Sequence, residues 1–162
     1  MTLAASFYHL PPRVLPSIQA VEGGRPGMIM RNTNGSADLG LMQVNTIWVE
    51  PLSRYAHIPQ QTVVFRLIYD PCFNVSASAA IVRLYLDESH GNLIQAVGYY
   101  HSHSPVLAAG YQRKVLGAAW RLFVASKPPA SRVSAVQAAA VRHAAARPKP
   151  VRLAMQTARH RK

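Results

Sequence analysis

The chain has 162 residues, 49% of them hydrophobic, which suits one domain with a buried core and a short appendage. It holds 18 Lys and Arg against six Asp and Glu, a net charge of +12, and its lone cysteine, Cys72, excludes an internal disulfide. No run of 18 apolar residues occurs, so no transmembrane helix is expected, and MTLAASFYHLPP lacks the basic and apolar regions of a secretory signal peptide.

The charge is unevenly placed. Residues 1–125 carry nine basic and six acidic side chains, and residues 126–162 carry nine basic and none acidic. The expected organisation is therefore a mildly basic folded domain over 1–125, followed over 126–162 by a flexible Ala-, Arg-, Lys- and Pro-rich tail with an Ala-rich helical stretch at 131–146.

The first predicted element is a helix with Leu10, Val14, Ile18 and Val21 on one stripe. Pro11 and Pro12 suit its first turn, Pro16 removes a hydrogen bond and bends it, and Gly23-Gly24 ends it. Residues 28–41, MIMRNTNGSADLGL, centre on Asn34-Gly35 and predict a small hairpin or an ordered irregular loop. Asn45 or Thr46 caps a short helix through Trp48 to about Leu52. Residues 53–71 give no clear signal. Asn74 or Ser76 caps a helix carrying Ala79, Val82, Tyr85 and Leu86, which Gly91 closes. Asn92 caps the next, with Leu93, Ala96, Val97 and Tyr100 on one face. Ser104-Pro105 opens the last, with Leu107, Tyr111, Val115, Ala118, Ala119, Leu122 and Phe123 on its apolar face. The fold class is mainly α. Trp48 and Trp120 are expected in the core, with sugar stacking a second use for Trp48.

Glu22 stands out among the six carboxylates. It ends an apolar helix, where desolvation and the negative end of the helix dipole both favour its protonated form. A carboxyl still protonated near neutral pH is what general acid catalysis requires. The plain alternative is a half-exposed Glu that merely ends a helix.

Three segments in order decide between these readings: Glu22 after its apolar helix, GLMQVN at 40–45, and YYHS at 99–102. Together they resemble the lytic transglycosylases with a soluble-lytic-transglycosylase, lysozyme-like domain. NGSADLGLMQVN resembles in particular the small members that accompany type III and type IV secretion, conjugation and pilus systems. The resemblance runs from about Phe7 to Phe123 and implies an α+β lysozyme-like fold. It implies Glu22 as catalytic acid and base. Met42 and Gln43 would line the cleft near the scissile bond, with Asn45 close by. Ser36 and Asp38 would hold the loop facing Glu22, and Tyr99 or Tyr100, the latter the closer match, would bring a phenol to the carboxylate and the sugar. Two departures stand in the motifs: Gly23 follows the Glu where the family often has Ser, and Tyr-His-Ser-His replaces Tyr-Asn-Ala-Gly, so that His101 takes over an amide contact.

The implied reaction uses one carboxyl, where ordinary glycosidases use two. Glu22 would protonate the oxygen between N-acetylmuramic acid and N-acetylglucosamine, then remove the C6 hydroxyl proton as a 1,6-anhydro ring closes. No cofactor is implied. Peptidoglycan strands and components of a secretion or conjugation apparatus would be the partners, and the periplasm the location. Asp38 keeps a lysozyme-type muramidase open, and a non-catalytic peptidoglycan-binding assembly protein is a second alternative. Pro71-Cys72 looks like the family's Asp-Pro-Cys segment, whose cysteine often pairs with one ahead of the first helix, which implies a partner upstream of Met1. Met28, Met30 and Met42, or His90, His101 and His103, match no metal-ligand spacing, so no metal is expected. The tail suits weak, salt-dependent contact with anionic polymers or membrane surfaces. Without aromatic residues it offers nucleic acid only non-specific binding.

Overall fold

The computed structural model describes residues 1–125, and the basic tail with its Ala-rich stretch lies outside the described residues. Seven α-helices and a small antiparallel sheet make up the described part, so the chain is mainly helical with an α+β arrangement, consistent with a lysozyme-like fold. In chain order the elements are α1 (Thr2–Phe7), α2 (Val14–Glu22), β1 (Ile29–Arg31), β2 (Ala37–Leu39), β3 (Val44–Asn45), a 3-10 turn (Thr46–Trp48), α3 (Val49–Ala56), α4 (Gln60–Tyr69), α5 (Pro71–Glu88), α6 (Leu93–His101), α7 (Pro105–Trp120) and a π turn (Arg121–Ala125). No described helix is long and apolar enough to cross a membrane.

Helix α5 is the hub. It buries residues over a broad face, among them Val75, Ala79, Val82 and Leu86, and it touches α1, α2, α4, α6 and β3. A wide apolar stripe of this kind packs against several neighbours at once, while Ser76, Leu84 and Asp87 face solvent. Leu15, Ile18, Met42, Val63, Leu67 and Val82 are fully buried around it, each such side chain contributing about 1.5–3 kcal/mol of transfer free energy.

Several starts differ from the sequence expectation. Helix α2 begins at Val14, because residues preceding a proline avoid the helical region and Leu10-Pro11-Pro12 holds two of them in succession. Leu10 is still buried, and enters the core from the connection. Pro16 is the third residue of α2, where the N–H has no intrahelical partner anyway, so no hydrogen bond is lost. The cap of α5 is neither Asn74 nor Ser76. Asp70 accepts from the Phe73 N–H at 3.0 Å, with Pro71 in the first turn. That backbone bond, with Arg66 beside it, holds the Asp70 carboxyl below its usual range. Asn92 and Ser104-Pro105 start α6 and α7 as expected. The unassigned segment 53–71 contains α4. Trp120 is 59% exposed rather than buried: Tyr111, Val115 and Ala118 face inward, and two residues beyond Ala118 the helix has turned to the far side.

The hairpin is real, and a third strand extends it. β1 and β2 pair with Ile29 opposite Leu39 and Arg31 opposite Ala37, and β3 pairs with β2 through Asp38–Asn45 and Leu39–Val44. The sheet meets the end of α2 at two glycines. Gly23 takes φ +63° and caps the helix, its N–H bonding Gln19 O at 2.9 Å. Gly24 lies against the backbone that follows β2, where a Cβ would stand 2.2 Å from Gly40 O and 2.6 Å from Leu41 O. Gly24→Ala is therefore expected to destabilise the fold by about 3 kcal/mol, since backbone rather than a side chain must give way. A urea midpoint unchanged from wild type would contradict that close approach.

Candidate functional site

A cleft of about 390 Å³ opens where α2, the sheet, α5, α6 and the turn after α6 meet. Glu22, at the last position of α2, lines it together with Ser36, Asp38, Gln43, Asn45, Tyr99, Tyr100 and His101. Of the site residues expected from sequence, only Met42 is absent from the lining.

The Glu22 carboxyl is half-buried, and its pKa is pushed up from 4.5 to about 6. Burial is the largest cause, and the negative charge of Asp38 adds to it. A hydrogen bond from Tyr111 and the positive charge of Lys114 pull the other way. Burial was expected from the apolar stripe of α2. The Tyr111 O–H, which donates to Glu22 Oε1, was not. Tyr111 is buried on α7, its own pKa raised by burial and by Glu22, and its ring stacks on His101 at 4.9 Å and 7°. His101 thus reaches the carboxyl through Tyr111. In the sequence Tyr111 reads as one member of an apolar stripe. The available signal is that a buried tyrosine hydroxyl needs a polar partner. Tyr111→Phe removes a bond to the ionised carboxylate, so the Glu22 pKa should move further up. Carbon NMR titration of the Glu22 carboxyl checks the direction, and a downward shift would contradict this geometry.

Tyr100 does a different job from the one its motif suggested. Its hydroxyl lies 3.0 Å from Met42 O and 3.0 Å from Ser78 Oγ, inside the core. A single hydroxyl proton serves one acceptor, so Tyr100 donates to the carbonyl and accepts from Ser78. Its pKa is raised, chiefly by burial. The phenol that meets Glu22 is Tyr111.

Met42 likewise departs from its expected place in the cleft lining. Its side chain is fully buried in the core, and only its backbone serves the loop. Asn74, from the first turn of α5, holds that loop: its Oδ1 accepts from Met42 N at 2.8 Å, and its Nδ2 donates to Leu39 O at 2.8 Å and to Leu67 O at 2.7 Å. Gly40 has φ +69°, and a Cβ there would lie 2.0 Å from Leu67 O, so no other residue fits. Gln43, itself at φ +50°, returns its Nε2 to Gly40 O at 2.7 Å. The GLMQ segment is thus a tight turn with a buried Met anchor and a Gln lining the cleft.

The sheet contributes an amide cage. Asn32 Nδ2 donates to Asp38 Oδ2 at 3.0 Å, and Asn45 Nδ2 donates to Asp38 Oδ1 at 2.6 Å. Both amides also reach Ser36 Oγ, at 3.1 and 3.0 Å. Ser36 and Asp38 therefore hold the hairpin in shape, while Asn45 also caps the following turn by accepting from Ile47 N.

Aromatic rings line the helical side. Trp48 packs edge-on against Tyr85 at 5.8 Å, so it is a cleft residue as well as a core one. Tyr99 lies 6.0 Å from Tyr85 and accepts a hydrogen bond from Gln95 Nε2. Cys72 is exposed and unpaired in α5. Among the described residues, no group of three or more His, Cys, Asp or Glu is placed to hold a metal ion.

Chemically, the site is a carboxyl poised to give and take a proton, facing a groove of amides, hydroxyls and aromatic rings. Such a lining fits a polyhydroxylated, amide-bearing polymer.

No family model matches the chain. Over 100 residues it is 31% identical to invasion protein IagB of Salmonella typhimurium, and to invasion protein IagB of Salmonella typhi. The match covers 61% of this chain and 59% of each relative, so the chain spans less than two thirds of their length. This chain is thus similar, over the greater part of its length, to a protein known as an invasion protein.

Proposed function

We propose that this protein is a peptidoglycan lytic transglycosylase with Glu22 as its one catalytic acid and base. The observation that carries the reading is the pairing of the two cleft carboxyls. Glu22 is half-buried with a pKa near 6, whereas both oxygens of Asp38 are taken up by Asn32 and Asn45. Only one of the two is arranged to move a proton.

With Tyr111 on Oε1, the other oxygen, Oε2, carries the transferable proton. That proton passes to the glycosidic oxygen between N-acetylmuramic acid and N-acetylglucosamine, and the C1–O bond breaks. The substrate's own acetamido oxygen stabilises the positive C1. The Glu22 carboxylate then takes the proton of the C6 hydroxyl, O6 bonds to C1, and the 1,6-anhydro ring closes. The proton is returned, and no water or second carboxylate takes part. Gln43, Asn45, Tyr99 and His101 would hold the strand across the carboxyl.

The likeness to invasion proteins supports a role in opening the wall locally for a secretion, conjugation or pilus apparatus, with the periplasm as the place of work. The domain would be residues 1–125, and the basic tail an appendage able to touch anionic polymers.

The test is mass spectrometry of fragments released from purified peptidoglycan. Anhydro-muramyl ends from wild type, absent with Glu22→Gln, are expected. Reducing ends would replace this mechanism with muramidase hydrolysis, with Asp38 freed from its cage. Glycan retention without release would favour a binding protein.

A further inference from the structure

His103 lies outside the motifs that carry the proposed reaction, yet it lines the same cleft. Its ring stacks on Tyr99 at 4.2 Å and 18°, and meets Tyr85 edge-on at 5.3 Å. Tyr85 is the buried base of this group, and Trp48 completes it from the other side. Aromatic clusters of this kind often serve only to stiffen a core. Here the His103 side chain is 53% exposed at the cleft mouth, which is a poor place for a core ring.

The polar end of His103 is specified too. Its Nε2 lies 3.0 Å from Glu88 Oε1. A carboxylate only accepts, so Nε2 carries the hydrogen, and in the neutral ring Nδ1 is left as an acceptor. Several other polar groups of the cleft spend N–H bonds inward: those of Asn32 and Asn45 are directed at Ser36 and Asp38, and one of Gln43 Nε2 at Gly40. His103 Nδ1 is thus an acceptor of fixed tautomer beside two partly exposed rings.

We propose that Trp48, Tyr99 and His103 form a hexosamine subsite. The apolar face of a pyranose ring packs against the aromatic surface, and His103 Nδ1 accepts a hydrogen bond from a hydroxyl or acetamido N–H of the sugar. Glu88 is a positioning residue that sets the tautomer. This inference rests on the glycan reading of the cleft, and it names which wall of that cleft holds a sugar ring.

The experiment uses Glu22→Gln as the parent, so that glycan is not consumed, with the tetramer of β-1,4-linked N-acetylglucosamine as the probe in calorimetry. His103→Phe keeps the ring and loses the acceptor, and should weaken binding roughly 2- to 10-fold. Trp48→Ala should weaken it by about 10-fold. Glu88→Gln retains an acceptor for Nε2–H and should bind like the parent, whereas Glu88→Ala should bind more weakly. Nitrogen NMR of His103 separates tautomer control from general damage: the Nε2–H form should dominate in the parent and in Glu88→Gln, and give way to a mixture in Glu88→Ala. If His103→Phe, folded by circular dichroism, binds as tightly as the parent while wild type still releases muropeptides, the subsite is wrong and the enzyme reading stands. If the parent fails to bind the tetramer although wild type releases muropeptides, the subsite again falls alone. If there is neither binding nor release, both fall.

Discussion

Under the proposed reaction, Glu22→Gln should lower muropeptide release by roughly 10²- to 10⁴-fold, the usual worth of a positioned general acid or base, and at the same time make the protein more stable above pH 6. The two effects share one cause. Burial raises the Glu22 pKa from 4.5 to about 6 in the folded chain. Below pH 4.5 the carboxyl is protonated whether the chain is folded or not, and nothing is lost. As pH rises toward 6 the unfolded chain ionises first, and folding becomes progressively less favourable. Above pH 6 the half-buried carboxylate carries its full desolvation cost, about 1–2 kcal/mol. Glutamine never ionises, so the variant escapes this cost. Its advantage in thermal or urea unfolding should be present at pH 7.5 and vanish near pH 4. Wild-type release should fall as pH rises through about 6, because the first step needs the protonated form. A variant as active as wild type, or one less stable at pH 7.5, would contradict the role given to Glu22.

Asn74→Ala is the second large effect, and it falls on folding. The substitution leaves Met42 N, Leu39 O and Leu67 O without their partner in a fully buried place. Unmet buried groups cost about 1–3 kcal/mol each, and the three sit in one network, so a loss of about 3–5 kcal/mol is expected. The urea midpoint should fall by about 2 M. Asn74→Asp keeps the acceptor for Met42 N but loses both N–H bonds, and should be damaged to a similar degree. A midpoint shift under 0.5 M, by this order-of-magnitude argument, would mean that water replaces the amide.

The same residue marks what a sequence reading reaches and what it does not. Asn74 looks like a helix cap, since Asn favours that position. Asp70-Pro71, four residues earlier, carries an equally good start signal, and only burial tells them apart. Asn92, Ser104-Pro105 and Gly23-Gly24 could be read correctly because capping is local chemistry. Helix α4 gives no clear sequence signal because Pro59 and the run Val63-Val64-Phe65 mask its period, while tertiary burial of Val63, Leu67 and Ile68 is what sustains it. At the cleft, Glu22, Gln43, Asn45, Tyr99, Tyr100 and His101 line one groove, while the Met42 side chain does not. Their individual tasks were less visible. Whether Met42 faces a cleft or a core, and which tyrosine among Tyr99, Tyr100 and Tyr111 touches the carboxyl, depends on the angle at which α6 and α7 pass α2. No local pattern encodes that angle.

Asn74 has one more consequence, for the tempo of the site. The turn at Gly40–Gln43 is tied to the buried start of α5, and the end of α2 is wedged against that turn at Gly24. A loop tethered to the innermost helix does not open on its own on the microsecond scale of surface loops. It is expected to open with the domain, and its amides to exchange as slowly as those of the core. Warming such a protein should take away cleft and core in one cooperative step, so that a ligand meets either a fully formed groove or none.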